Sequence, residues 1–501
     1  MSFRLPLPPL STRRTALALL MVLALTGCAV GPDYQRPEAS LPDSYRATQT
    51  TSGMQEATTV EKAWWRRFQD DTLNALVDRA LAHNYDLLAA VARVEEAEGL
   101  ARQAGATFFP QINLNGSGTH NQVSTMNTVP LSSSAPRIQD SRKAGLSTSF
   151  EIDLWGKLRR QDEAARAQLI ASEEGRRGVL LTLVSGVAGA YVNLRDLDRQ
   201  LEIASDTART REASYRLFQD RYAGGLISIL ELSQNKSQYD EALARIPALE
   251  QSIALQENAL SALLGRNPGP IARGKNIDEL SPPVIPEGLP STLLERRPDL
   301  RAAEQQLIAA NALIGAARAA YYPSISLTGV FGVASGSLSN LFSGASKVWQ
   351  YAGAVNLPIF TAGKIGSQVE IAEAQQQQAL FSYQKAIQTA FREVNDALIA
   401  QDRTRAQLEA QGQQVKSLQE YTDTARLRYD NGYTSYLEVL DAERGLFQAQ
   451  LQYAQTQQKL LQAMIDLYKA MGGGWPEGTS TASTTGESRP NAAPGGNAAP
   501  Q

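Results

Sequence analysis

This 501-residue chain has almost none of the side chains that build catalytic or metal chemistry: one cysteine, Cys28, and two histidines, His83 and His120. One cysteine cannot form an intrachain disulfide and excludes cysteine-built zinc sites. The two histidines lie far apart in sequence, and nothing in the pattern groups them into a metal or nucleophile–base site. No Gly-x-Ser-x-Gly elbow is present. A carboxylate pair such as Glu151 and Asp153 sits in a strand-like stretch, which suits a pore lining better than acid–base work. The chain is therefore expected not to be an enzyme. The apolar run Ala16 to Leu25 is too short to span a bilayer as a helix. No basic tract stands out, and 48 basic residues face 51 acidic ones. That mildly acidic balance argues against nucleic acid as a partner.

What the amino terminus does have is a targeting pattern. Arg4, Arg13 and Arg14 precede an apolar run, Ala16 to Leu25, which ends in Leu25-Thr26-Gly27-Cys28. A large apolar residue, two small ones and a cysteine form a bacterial lipobox, so residues 1–27 are expected to be a signal peptide. Cys28 would then carry a diacylglycerol on its thiol and an acyl chain on its amine. Several acyl chains anchor durably where one does not. This covalent lipid is the only non-protein group expected, with no cofactor and no metal. Ala29 stands where an Asp would favour inner-membrane retention, which points to the outer membrane. Residues 28–60 are expected to be an extended polar leader. The Gly-, Ser-, Thr-, Ala- and Pro-rich residues 472–501 are expected to be a disordered tail.

Between these ends the chain repeats itself once, with a period of a little over two hundred residues. Phe108-Phe109-Pro110 returns as Tyr321-Tyr322-Pro323, Arg221-Tyr222-Ala-Gly-Gly225 as Arg428-Tyr429-Asp-Asn-Gly432, and Leu230-Glu231 as Leu437-Glu438. So long a period marks duplication of a large unit, not a solenoid. The units are 61–265 and 291–471, joined by a Pro- and Gly-rich linker, 266–290. Each reads helix, strand, loop, strand, very long helix, tight turn, helix. Ala144 to Trp155 alternates, with Leu146, Phe150 and Ile152 on one face and Ser147, Ser149 and Glu151 on the other. Val355, Leu357 and Ile359 alternate likewise. Segments 120–142 and 334–347 read as loops. Strands with one apolar and one polar face suit a membrane barrel. Four strands cannot close one, and open edges are not tolerated in lipid. Several chains must therefore share a barrel, and three would supply twelve strands.

The stretches from Trp155 to Tyr222 and from Gly363 to Asp430 lack strong breakers. At about 1.5 Å per residue each helix would reach roughly 100 Å. Leu380, Tyr383, Ile387, Ala390, Val394 and Ala397 step by three and four, as supercoiled helices do. Gly224-Gly225 and Asn431-Gly432 tolerate positive φ and should fold each long helix back on itself. Pro247 should kink the first return helix, whereas the second has Ala454 there.

Taken together, Cys28-Ala-Val-Gly-Pro-Asp-Tyr34, Glu151-Ile-Asp-Leu-Trp-Gly-Lys157, Glu295-Arg-Arg-Pro-Asp-Leu300, Leu440-Asp-Ala-Glu-Arg444 and Tyr468-Lys-Ala-Met-Gly-Gly-Gly-Trp475 make residues 28–475 resemble the TolC-like outer-membrane efflux family, in its OprM/NodT lipoprotein branch. The resemblance implies an α + β membrane protein. It would be a homotrimer sharing a twelve-strand β-barrel and a twelve-helix α-barrel, set in outer-membrane lipid. It also implies a periplasmic adaptor and an inner-membrane pump as partners, and a passive outward duct as function. A type I secretion duct and a structural envelope lipoprotein are the competing readings.

Spacing singles out one further cluster. Leu437, Glu438, Asp441 and Arg444 share a helix face just after the second turn. In the family the matching patch lines a closed periplasmic entrance, with Tyr429 nearby. Threefold symmetry would make rings, and a carboxylate ring favours cations. Arg428, Tyr429 and Arg444 are the expected donors that hold it shut. The first hairpin has Gln234 and Ser237 where the second has Asp441 and Arg444. The turn residues Gly224, Gly225, Asn431 and Gly432 are the expected adaptor contacts.

Overall fold

Two helices of 67 residues each dominate the computed structural model, which describes residues 29–38, 63–124, 136–280 and 296–473. The signal peptide, Cys28, most of the leader, the end of the linker and the tail beyond 473 lie outside the described residues. In chain order the elements are α1 (Asp71–His83), α2 (Tyr85–Ala106), β1 (Gln111–Gln122), β2 (Ile138–Ile152), α3 (Lys157–Ala223), α4 (Ile229–Leu263), α5 (Pro298–Ala319), β3 (Ser324–Ser335), β4 (Lys347–Asn356), α6 (Lys364–Asp430) and α7 (Tyr436–Ala470). Both return helices, α4 and α7, have 35 residues.

Each long helix starts at a glycine in the left-handed region, Gly156 (φ 80°) and Gly363 (φ 86°), where the chain swings out of a strand. Gly175, Gly178, Gly186 and Gly189 do not interrupt α3. Against Gly189 lies the Gln462 amide, so close that a Cβ would stand 2.5 Å from it. The three-and-four spacing read from α6 is its packed face: Tyr383, Ile387, Ala390, Val394 and Ala397 are all buried. Pro247 lies inside α4 without ending it.

The four strands form one antiparallel sheet in the order β1-β2-β3-β4, leaving β1 and β4 as its edges. The strands extend further into the expected loops than the alternation indicated. β1 continues through His120 to Gln122 and β2 begins at Ile138, while β4 begins at Lys347 and ends at Asn356, before Leu357 and Ile359. The extra stretches are polar, and backbone pairing carries them: Gln122 opposes Ile138 and His120 opposes Asp140. Alternation of apolarity cannot see a strand whose outer end leaves the apolar layer. Along the register Leu114, Leu146, Phe331 and Trp349 lie side by side, as do Ile325 and Val355 with Ile152. That face is apolar and exposed, with Leu114, Phe331, Trp349 and Val355 each about two-thirds exposed or more. The other face carries Asn115, Ser147, Ser149 and Glu151.

At the helix-side ends of the strands the aromatics gather. Trp155 stacks on Tyr322 (4.8 Å between ring centres) and donates from Nε1 to the Pro323 carbonyl at 2.8 Å. Phe109, Tyr321 and Phe360 stand exposed beside them.

The main core lies partway along the helices, where a short 3-10 turn, Trp64–Phe68, and α1 pack on α3, α4 and α7. Trp64 stacks on Tyr468 at 4.9 Å. The buried carboxylate of Asp70 caps α1 through the Thr72 and Leu73 amides and also accepts from the Tyr191 hydroxyl at 2.8 Å and the Lys275 amide at 2.9 Å. Composition understated the linker that Asp70 thereby holds. Ile271, Ile277 and Leu280 are buried in this core, and Arg273 pairs with Asp198 and Glu257.

The described part of the leader, residues 29–38, is extended and held along α3 and α5. The Val30 amide donates to the Trp155 carbonyl (3.0 Å), Arg160 pairs with Asp33 (2.6 Å), and Arg36 grips both oxygens of Glu304 (2.6 and 2.7 Å). Gly31 and Gly315 meet backbone to backbone, and a Cβ on Gly31 would lie 2.4 Å from the Gly315 Cα.

Candidate functional site

Both helical hairpins turn in the same way, roughly 100 Å from the sheet by the rise of a 67-residue helix. In the first, Gly225 (φ 71°) lets the Gly225 amide reach the Tyr222 carbonyl (2.9 Å) and the Leu226 amide reach the Arg221 carbonyl (2.9 Å). In the second, Gly432 (φ 76°) sets the Gly432 amide on the Tyr429 carbonyl (2.9 Å) and the Tyr433 amide on the Arg428 carbonyl (2.8 Å). Each is a Schellman closure that satisfies the last carbonyls of the long helix. Asn431 adds a side-chain bond to the Leu427 carbonyl. Gly224, Gly225, Asn431 and Gly432 all sit at the exposed tips, beside Leu226 (78% exposed) and Tyr433 (76%).

Behind the tips an aromatic core joins the hairpins. Phe218 of α3 packs on Tyr436 of α7 at 4.2 Å and on Tyr429 of α6 at 6.4 Å. Arg221 lies over the Phe218 and Tyr429 rings and donates to the Tyr429 hydroxyl at 3.1 Å. Asn235 of α4 donates to the Tyr436 hydroxyl at 2.5 Å. Burial holds that phenol well above its usual range. Sequence reasoning missed Phe218, Arg221 and Asn235. Phe218 and Asn235 flank the first turn with no pattern to mark them, and Arg221 stood out only as a repeat anchor matched to Arg428, which does not disclose its contact with Tyr429.

Leu437, Glu438, Asp441 and Arg444 share one exposed face of α7, beyond this core. Leu437 is 63% exposed, and Arg444 donates to Asp441 at 3.0 Å with both side chains about 60% exposed. The other two expected donors are elsewhere. Tyr429 is engaged by Arg221 inside the tip core, because its ring is apolar enough to be drawn under Phe218 and Tyr436. Arg428 is exposed on α6 at the turn. Within one chain, then, Arg444 alone of the three meets Asp441.

The matching face of the first hairpin differs in a way its sequence only half discloses. Glu231 stands where the second hairpin has Glu438, but it is consumed in a capping box. The Ser228 amide donates to Glu231 Oε2 at 2.8 Å, and the Glu231 amide donates back to Ser228 Oγ at 3.3 Å. Ser435 makes no such side-chain cap, so Glu438 keeps its carboxylate for the exposed face. The histidines are not brought together: His83 lies at the end of α1, and His120 sits on the sheet beside Asp140.

Known proteins are similar to this chain along nearly its whole length. A family model described as outer membrane efflux protein matches residues 76–266 and 289–473, one match per repeat. The cation efflux system protein CusC of Escherichia coli is 38% identical over 465 residues, covering 91% of this chain and 99% of that one. The solvent efflux pump outer membrane protein SrpC of Pseudomonas putida is 36% identical, covering 92% and 98%. The crystal structure of the Campylobacter jejuni CmeC outer membrane channel superposes with a TM-score of 0.84 at 27% identity, over 89% of this chain and 95% of that one.

Proposed function

The chain belongs to the outer membrane efflux protein family, and on that premise we propose that it is the passive exit duct of a tripartite pump. It would be a trimer, fed from a periplasmic adaptor and an inner-membrane pump. The observation that carries this is the join of a four-strand sheet with two free edges to a helical wall that is also open at both sides. The helices lie in the order α4–α3–α7–α6, so one chain leaves α4 and α6 as open sides. Three copies close both the sheet, at twelve strands, and the wall, at twelve helices. The relatives named for cations and for solvents support a duct whose cargo is chosen upstream.

The anchor is proposed to be the acylated Cys28. Ala29, the next residue, lies against Gly156 at the junction of sheet and long helix, beside the aromatic cluster at that end of the strands. That height is where an acyl chain enters the inner leaflet. The exposed tips, with Gly224, Gly225, Asn431 and Gly432, are the proposed adaptor contacts.

The gate is proposed at the face of Leu437, Glu438, Asp441 and Arg444, with Tyr429 bracing it from behind through the tip core. An exposed Asp441–Arg444 pair contributes at most about 1 kcal/mol in one chain. Three copies brought to an axis would surround each carboxylate with two more, and Arg444 is then the counter-charge that permits closure. Conductance of the purified trimer across a planar bilayer, without adaptor, tests this. Asp441→Ala should raise basal conductance several-fold and weaken cation preference, while Gln234→Ala should change neither. Equal behaviour of both variants and wild type would remove the gate from this face.

A further inference from the structure

The outer rim of the sheet carries basic residues on the wrong face for a channel lining. Positions that share the apolar face alternate along each strand, and the register fixes them. From the helix end upward that face runs Ile152, Phe150, Thr148, Leu146 and Ala144 on β2, then Arg142 and Asp140. On β4 it runs Val355, Gly353, Tyr351 and Trp349, then Lys347. Lys143, one residue from Arg142, belongs to the polar face with Ser147 and Glu151.

Height is set by two aromatic levels. The lower one is Phe109, Trp155, Tyr321, Tyr322 and Phe360. The upper one is Trp349 stacked with Tyr351 at 5.6 Å, with Phe331 opposite Trp349. Roughly ten tilted strand residues separate the levels, the length that crosses a bilayer, and aromatic girdles mark both interfaces of such barrels. Lys347 follows Trp349 on the same face, one side-chain position further out. Arg142 lies two strands away and slightly higher. Both therefore stand at the outer interface, pointing toward lipid.

The local charges do not cancel. Asp140 is shared between His120 (2.7 Å) and Arg142 (3.9 Å). Arg142 also donates to the Gly336 carbonyl at 2.9 Å, which holds it across the end of β3. Lys347 has no carboxylate within ion-pair distance among the described residues. One acid thus faces two permanent cations and a histidine, at the height where lipid phosphates lie.

We propose that Arg142 and Lys347 form a binding site for a phosphate-bearing lipid of the outer leaflet, one site per chain. The occupant follows from charge complementarity and from continuity with the apolar band below, which holds the acyl chains of the same molecule. The site rests on the membrane-barrel reading. It would lock the barrel into the outer leaflet as the acylated Cys28 locks it into the inner one.

Native mass spectrometry of the full-length, detergent-purified protein with added bisphosphorylated lipid A tests the site. The wild type should retain this lipid, and should not retain the same lipid after enzymatic dephosphorylation. Each basic residue beside an anionic surface contributes about fivefold, so Arg142→Gln/Lys347→Gln should bind at least fivefold more weakly. Lys143→Gln, on the lumen face, should bind as wild type. Lys347→Gln alone, at an exposed strand end, keeps the test decisive if the double variant fails to assemble. Unchanged retention in these variants, equal retention of the dephosphorylated lipid, or release by excess inorganic phosphate would overturn the site. Insertion into vesicles, scored separately, distinguishes this failure from failure of the barrel itself, since a protein that never inserts has no lipid face at all.

Discussion

The return helix of the second hairpin, α7, buries seventeen of its 35 residues, and that of the first, α4, buries four of 35. Length, turn and register are the same in both, so duplication kept the geometry. What changed is the neighbourhood. α7 lies between α6 and α3 and is covered on two sides, whereas α4 leans on α3 and barely meets α7. A helix with one bare side in an otherwise packed wall is an edge, and α6 is the other edge. The contrast teaches that one chain is an arc of a wall. The second hairpin's return helix is an interior member of that arc, and the first hairpin's is an end member waiting for a neighbour.

The sharpest way to break this comparison is to remove a buried ring from α7 and its counterpart from α4. Phe447 is 1% exposed, packed on Ala204 and Leu451, with the buried Arg211 guanidinium 5.1 Å above its ring. Phe447→Ala should cost about 3–5 kcal/mol, and it would also strip a cation of its apolar floor. The corresponding residue of α4 is Asp240, half exposed and paired, among the described residues, with Lys236. Asp240→Ala should stay within about 0.5 kcal/mol. Urea unfolding of the detergent-solubilised protein, followed by helical circular dichroism, measures both. Similar losses in the two variants would mean that α4 is as deeply embedded as α7.

A second asymmetry lies between the long helices and depends on pH. Asp196 of α3 is buried, and burial pushes its carboxyl up to about 6, against the Gln200 bond and the Lys459 charge, which pull it down. The position repeats in α6 as Arg403, about three-quarters exposed. A carboxyl with a folded-state pKa above its unfolded value binds its proton more tightly when folded. The contribution of Asp196 to stability is therefore lost as pH rises from about 4 through about 6. Asp196→Asn should remove that slope and stabilise the chain at neutral pH by about 2–3 kcal/mol. Arg403→Gln should do neither. Thermal melts of wild type and both variants at pH 4, 5, 6 and 7 decide the matter, and a difference between wild type and Asp196→Asn that does not grow from pH 4 to pH 7 would refute the assignment.

How much of this was legible beforehand differs by level. The long helices were readable to within a residue or two, because sixty-odd residues without a breaker, closed by Gly-Gly or Asn-Gly, leave few alternatives. The strand ends were not, since alternation stops where the sheet leaves the apolar layer while backbone pairing goes on. Around the tips, Asp441 and Arg444 were legible as a three-residue spacing on one helix. The engagement of Tyr429 by Arg221, and of Tyr436 by Asn235, was not, because those contacts cross from one repeat to the other. The linker was misjudged for a related reason. Its glycines and prolines read as a tether, while three scattered apolar anchors, Ile271, Ile277 and Leu280, bury it in the core.

The smallest expected effect tests whether the two hairpin starts really diverged. Ser228 and Glu231 satisfy each other's backbone amides at the start of α4, so Ser228→Ala should cost about 1 kcal/mol. Ser435 occupies the same place before α7 and makes no side-chain cap, so Ser435→Ala should cost no more than a few tenths. The carboxylates invert this order. Glu231→Gln should weaken the cap with little effect on ion selectivity, because its charge is spent on the Ser228 amide. Glu438→Gln should leave stability alone and lower cation preference, because its carboxylate lies uncapped on the exposed face proposed as the gate. Stability and selectivity measured on the same four variants thus form a crossed pair. If Ser435→Ala proves as costly as Ser228→Ala, Glu438 is occupied as a cap too, and the carboxylate ring loses half of its members.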